Sequence, residues 1–262
     1  MTQKSLVGSR AVVTARYAIL PPAGIPAGVL PEWPEVDARV LTAPAMGARF
    51  AMYRLDVPRD HGSRQRLRQD IEAFAFVLGG RVALALNGAD HVLGPGGFAY
   101  LKPGSAFELK ALADEAALLW LRKGYVPVEQ GRPDDVVGDE EAIAAEPYVF
   151  GSGNPRLDQS YPVIEGLRLK TLLPDTVAFD MAMNIFTFEP GHSLPVVETH
   201  VMEHGLYFLQ GQGLYLLGDT WREVEAGDFI WMGPYCPQSF HATGSEPSRY
   251  LYYKDVHRDV SL

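Results

Sequence analysis

The sequence predicts an all-β protein made of one small barrel used twice. Three observations predict this. First, short runs of alternating or β-branched residues recur along the chain, separated by 26 glycines and 20 prolines spread over its length. Close-spaced strands bounded by turn residues point to a sandwich or barrel. Second, the two halves repeat: Glu72 to Gly79 matches His204 to Gly211, and the Gly96-Gly97 turn matches the one at Gly227, with Gly97 set on Gly227. Each block reads as strand, glycine turn, strand, turn, strand, with an offset of 132 residues from Glu72 to His204 and 130 from Gly97 to Gly227. Third, helical periodicity is weak, and its best candidate is the acidic segment from Asp135 to Ala145 between the halves.

In chain order, the predicted strands of the first half are Phe74–Leu78, Val82–Leu86, Phe98–Leu101 and Leu118–Leu121. Those of the second are Ala182–Phe188, Leu206–Leu209, Leu214–Leu217 and Phe229–Met232. The expected division is an N-terminal arm over 1–40, a first barrel over 41–130, a linker over 131–160 where Pro, Gly, Asp and Glu cluster, and a second barrel over 161–262.

Of the 262 residues, 47% are hydrophobic, enough for a sizeable core, and the formal net charge is −9. That average field repels a phosphate backbone. The richest basic stretch, Arg64 to Arg68, is flanked by Asp60, Asp70 and Glu72, which suits a salted surface better than a nucleic-acid patch. A single cysteine, Cys236, excludes a disulfide within the chain. Met1 to Arg10 lacks the apolar core of a secretory signal, and the Ala116 to Leu121 run is far too short to span a bilayer. The expectation is a soluble, cytoplasmic protein with no nucleic-acid or membrane partner.

The chemistry concentrates in the second half. Glu198, His200 and His204 fall within seven residues, Gly211 follows, and Gln238 stands eleven residues after Gly227. Residues two apart on a strand face one side, so Glu198 and His200 are expected to point inward, with His204 and Gln238 meeting them from other strands. Imidazole, carboxylate and amide oxygen form a mixed set suited to Mn, Fe, Ni or Zn, and the absence of thiolate argues against a structural zinc site. Taken alone, the same residues would also suit a polar strand and its turn. His241, three residues past Gln238, is an alternative fourth ligand, and Glu203 is expected to face outward. In the first half the matching positions are Arg66, Arg68, Glu72 and Glu108. Guanidinium groups cannot ligate a cation, so that barrel is read as structural, with these four forming a buried charge network or facing solvent.

This frame resembles the cupin fold, a double-stranded β-helix or jelly-roll barrel, here as a tandem bicupin. The order Glu198-Thr-His200-x-x-Glu-His204-Gly is permuted from the usual cupin order. With Gly211-Gln-Gly-x-Tyr215, Trp221, Gly227-Asp-Phe-Ile-x-Met-Gly233, Gln238 and Tyr250-Leu-Tyr-Tyr-Lys254, it resembles the (S)-ureidoglycine aminohydrolase family. Tyr125-Val-Pro-Val-Glu129 and Phe179-Asp-Met-x-Met-Asn184 fit it too. The resemblance implies a manganese-dependent enzyme of purine breakdown that releases ammonia from (S)-ureidoglycine and leaves (S)-ureidoglycolate. It implies Mn²⁺ ligation by Glu198, His200, His204 and Gln238, and substrate contact by Glu198, Gln238, Tyr250 and Lys254. The catalytic roles then fall to Glu198, Tyr250 and Lys254, in a homo-oligomer acting on a small molecule. Without the resemblance, Lys254 and Tyr250 read as a strand-end lysine and a core tyrosine. The competing expectations are another metal-dependent cupin enzyme, such as an isomerase or dioxygenase, and a non-catalytic binding module.

Overall fold

The computed structural model describes residues 10–150 and 162–258. Its strands form four antiparallel sheets, two to each half of the chain. In the first half a seven-stranded sheet faces a four-stranded one. In the second an eight-stranded sheet faces a three-stranded one. Every strand predicted from sequence lies within an observed strand. The two-barrel, all-β expectation therefore holds.

The sheets alternate strictly. On Ile71–Gly79, Ala73, Ala75 and Val77 fill the first barrel, while Phe74 and Phe76 turn to the other face. On Ser248–Asp255, Leu251 and Tyr253 turn outward in the same way. These outward faces meet, so Phe74, Phe76, Leu119, Leu121, Phe229, Trp231, Leu251 and Tyr253 belong to one buried core shared by the two barrels. Tyr250 points the opposite way, into the second barrel, with Phe186, Phe188, Phe208, Tyr215 and Phe240.

The segment 1–40 divides between the barrels. Tyr17–Leu20 pairs with Phe229–Met232 and extends the second barrel's large sheet. Gly28–Leu30 and Trp33–Thr42 belong to the first. In return, Val136–Asp139 pairs with Gly97–Leu101 at the corresponding edge of the first barrel. The acidic segment expected to be helical is therefore this strand followed by a short 3-10 turn, Glu140–Ala142. Val136 and Val137 match the pleat opposite Tyr100 and Ala99. The Asp139 side chain accepts the Glu141 amide and starts the turn.

The structural offset between the halves is 131. The Gly96 amide bonds the Val77 carbonyl and the Gly227 amide bonds the Phe208 carbonyl. Leu86 pairs with Phe107 as Leu217 pairs with Gln238. The one-residue difference from the sequence match matters, because a slip of one on a strand exchanges its faces. His204 corresponds to Ala73, Gln238 to Phe107 and Glu203 to Glu72. Through its pairing partner Glu198 corresponds to Gln65, and His200, whose carbonyl accepts the Tyr235 amide as the Arg68 carbonyl accepts the Gly104 amide, corresponds to Arg68. Ala73 and Phe107 are buried in the first barrel's core, as is Leu67. Arg66 and Arg68 lie exposed, as does Glu108, which sits 3.6 Å from Arg64. The first barrel is packed solid where the second carries His204 and Gln238.

Candidate metal centre and active site

Where the first barrel has the regular strand Gly62–Arg66, the second has only two isolated bridges, Ser193↔His241 and Glu198↔Gln238. The expected strand through Glu198 and His200 is thus broken. The Glu198–Gln238 bridge is held by paired backbone bonds of 2.8 and 2.9 Å. The break lets His200 swing over the barrel end towards His204, at the start of His204–Gln210.

His200 Nε2 lies 3.0 Å from His204 Nε2 and 3.0 Å from the Gln238 side-chain amide. Each ring is held by its other nitrogen. His200 Nδ1 donates to the Met202 carbonyl at 3.2 Å, and His204 Nδ1 donates to the Tyr253 carbonyl at 3.2 Å. Carbonyls only accept, so both Nδ1 atoms carry the proton and both Nε2 atoms present lone pairs to each other. Such lone pairs repel, and a shared cation converts that repulsion into ligation. The 3.0 Å spacing of the two Nε2 atoms is within the reach of a single divalent ion, which both could hold. Burial, then the neighbouring His200, holds His204 well below the usual histidine range. Burial, then the Lys254 charge, lowers His200 as well. Both rings are kept in the neutral form that ligation needs.

The Glu198 carboxylate accepts the Tyr148 hydroxyl at 3.4 Å. Burial raises its pKa, and Lys254 is the first of the influences opposing that. Gln238 Oε1 accepts the Tyr215 hydroxyl at 3.1 Å. Amide ends exchange by a flip, and Tyr215 can donate or accept, so the network holds the amide in place either way round. Among the described residues, no three His, Cys, Asp or Glu side chains form a closed ligand cluster. The set that could hold a divalent ion is the two imidazoles, with Gln238 beside them and Glu198 bridged to Gln238 through the backbone.

Lys254 pairs with His204 across adjacent strands and shares a face with Tyr250 and Tyr252. Burial lowers its pKa, and Glu198 opposes the shift. Tyr250 lies deeper, 3% exposed among Phe186, Phe188, Phe208 and Phe240. Its ring lies 6.3 Å from that of Tyr215, so it reaches the cluster through the Tyr215–Gln238 bond. His241 stands an odd number of residues from Gln238 on Gln238–Ala242 and faces away. Glu203 does face away from the cluster, but not to solvent. It is 0% exposed and accepts Trp231 Nε1 at 2.6 Å and the Arg49 backbone amide at 3.0 Å. The expectation of an outward surface group is corrected by the first barrel, which packs on the outer face of the second and makes it an interior.

Sequence reasoning missed Tyr148 and Tyr215. Tyr148 sits on Glu146–Val149, in the stretch read as linker, and packs at a tilt against Phe186, ring centroids 4.7 Å apart. Tyr215 reads as packing, and its hydroxyl contact shows only in three dimensions. No helix of the described residues is long and apolar enough to cross a membrane.

A cupin-domain family model matches residues 184–253, the stretch carrying His200, His204, Gln238, Tyr250 and most of the second barrel. The chain is 33% identical over 264 residues to (S)-ureidoglycine aminohydrolase of Escherichia coli (strain K12), covering 99% of this chain and 96% of that one. It is 34% identical over 252 residues to (S)-ureidoglycine aminohydrolase of Arabidopsis thaliana, covering 96% and 79%. The crystal structure of the E. coli protein Ylba superposes with a TM-score of 0.83 at 32% identity, covering 98% of both chains. Two barrels matched end to end, with the polar cluster confined to the second, place this chain in the (S)-ureidoglycine aminohydrolase family, on a tandem cupin fold.

Proposed function

We propose that this protein is a metal-dependent aminohydrolase that converts (S)-ureidoglycine and water into (S)-ureidoglycolate and ammonia. The observation that carries the reading is the convergence of two imidazole lone pairs and the Gln238 amide beside Lys254, in a chain matched end to end by that family. In the net reaction the C–N bond to the amine breaks, a C–O bond forms from water, and ammonia leaves. The ion proposed is Mn²⁺, held by Glu198, His200, His204 and Gln238. When bound, it supplies a Lewis acid and a holding point for the substrate carboxylate.

The chain's own groups do the remaining work. The Lys254 ammonium, half-buried beside the cluster, pairs with the substrate carboxylate and sets its orientation. Glu198, buried beside Lys254, is the group placed to carry a proton to the departing amine. Tyr215 keeps Gln238 turned to the cluster, and Tyr250 backs Tyr215 from below. Phe186, Phe188, Phe208 and Phe240 floor the site and exclude water.

The proposed compartment is the cytoplasm and the proposed state a homo-oligomer. Support for self-association comes from Trp221 and Tyr235, 50% and 57% exposed. Sedimentation of the purified protein checks this, and a monomer at all concentrations would remove it. The function itself is tested by ammonia release from freshly generated ureidoglycine, with and without Mn²⁺. Release that depends on the ion is expected, and no release under either condition overturns the reading.

A further inference from the structure

Asn184 lies on Met181–Phe188 with its side chain on the same face as Phe186 and Phe188, inside the second barrel. It is 6% exposed. Its Nδ2 donates to the Tyr252 hydroxyl at 3.0 Å, and the two residues are Cα partners on adjacent strands. This leaves Asn184 Oδ1 buried without a hydrogen-bond partner. An unpaired amide oxygen among phenylalanines is costly, and an aliphatic residue there would pack without that cost. Tyr252 accepts from Asn184, so its own O–H is left to donate elsewhere. Its ring meets His204 edge-on, centroids 5.8 Å apart.

The first barrel supplies an internal comparison. The pair corresponding to Asn184 and Tyr252 is Tyr53 and Trp120, also Cα partners on adjacent strands. Trp120 is packed into that barrel's core, 2% exposed. The amide–phenol pair therefore occurs only in the barrel that holds Glu198, His200, His204 and Gln238. The duplication has kept the backbone position and changed its chemistry together with the site.

We infer that Asn184 and Tyr252 determine substrate specificity by binding the ureido group. A ureido edge presents one carbonyl acceptor beside one N–H donor. The Tyr252 hydroxyl donates to the first and Asn184 Oδ1 accepts from the second. Lys254, on the same strand face as Tyr252, is left for the carboxylate. The inference rests on the function proposed above for the identity of the ureido substrate, but it concerns binding and is read without turnover.

The test is calorimetric titration of the metal-loaded protein with N-carbamoylglycine, which keeps the ureido and carboxylate groups and lacks the reacting amine, and with glycolate, which has no ureido group. Asn184→Leu and Tyr252→Phe are each expected to weaken N-carbamoylglycine about tenfold. Glycolate affinity and bound metal should stay unchanged. Tyr252→Phe keeps the ring, so it reports even where Asn184→Leu fails to fold. Equal affinity of wild type and Tyr252→Phe for N-carbamoylglycine overturns the inference, as does an equal loss for both ligands. If the wild type binds N-carbamoylglycine through this pair yet releases no ammonia from ureidoglycine, the proposed reaction falls and the recognition pair stands.

Discussion

Because His204 Nδ1 donates to the Tyr253 carbonyl, its ring cannot turn without breaking that bond, and Nε2 is held toward His200. The same logic applies to Gln238, whose amide is held by Tyr215. Tyr215→Phe removes this hold and leaves the ligand in place. It is expected to weaken Mn²⁺ affinity about tenfold, read by metal competition with a chelator. Lys254→Met keeps the stem and removes the charge. It should lower kcat/KM about a hundredfold while metal content by elemental assay stays at the wild-type level. Full turnover in that variant would remove Lys254 from the reaction. That His200, His204 and Gln238 come together was legible in the sequence because their spacing follows a barrel frame, and Glu198 joins them through its backbone bridge to Gln238. Tyr148 was not, since no local pattern says that a strand from the inter-barrel stretch will reach Glu198.

At the scale of strands, Gly211 has φ of +79 and Gly80, its counterpart, +75. A Cβ on Gly211 would stand 2.7 Å from the Pro247 carbonyl oxygen. Gly211→Ala therefore combines a left-handed backbone with a backbone clash and should cost about 2 kcal/mol or more, measured by urea unfolding. Gly211 helped to make the repeat visible, although the sequence match sets it on Gly79 and not on Gly80, and the alternating runs between the glycines made every predicted strand visible. Facing was harder to read. Aligning Glu72 with His204 places the match one residue off, and on a pleated strand that exchanges interior for exterior. Register is set by pairing across the sheet, as in Leu217↔Gln238 and Leu86↔Phe107, and one strand read alone does not contain it. Asp135 to Ala145 misleads for a related reason. Its acidic residues suit a helix, but Val136 and Val137 find an open strand edge at Gly97–Leu101.

Across the whole molecule, two buried glutamates at matching positions stitch the barrels together. Glu203 is held by Trp231 and Arg49, and Glu72 accepts the Tyr100 hydroxyl at 2.5 Å. Lys123 lies 3.2 Å from Glu72 and 2.8 Å from Asp180, which comes from the other half of the chain. Tyr125 and Tyr253 also face this cluster. Burial, then the hydrogen bond with Asp180, pushes Glu72 up to about 8 from an ordinary 4.5. Glu72 Oε1 and Asp180 Oδ1 are both buried without another hydrogen-bond partner, as expected of carboxyls sharing one proton. A raised carboxyl pKa stabilises the fold fully below 4.5, and that contribution is lost as pH rises to about 8, because the unfolded chain ionises first. His200 and His204, held below their ordinary range, act the opposite way below about 6.5. The Glu72 contribution is therefore read as the difference in thermal midpoint between wild type and Glu72→Gln, which should shift against the wild type from pH 6.5 to 8. A difference that stays constant over that range would contradict the shared proton.

The strand Tyr17–Leu20 lies against Phe229–Met232, beside the strand that begins at His204. Its Ala18 and Ile19 are buried there. On the ribosome these side chains emerge long before Phe229–Met232, the strand they lie against. A barrel whose wall is completed by residues made so far upstream cannot mature by itself. A fragment beginning at residue 162 should therefore be insoluble on its own and recover when the missing N-terminal piece is supplied in trans.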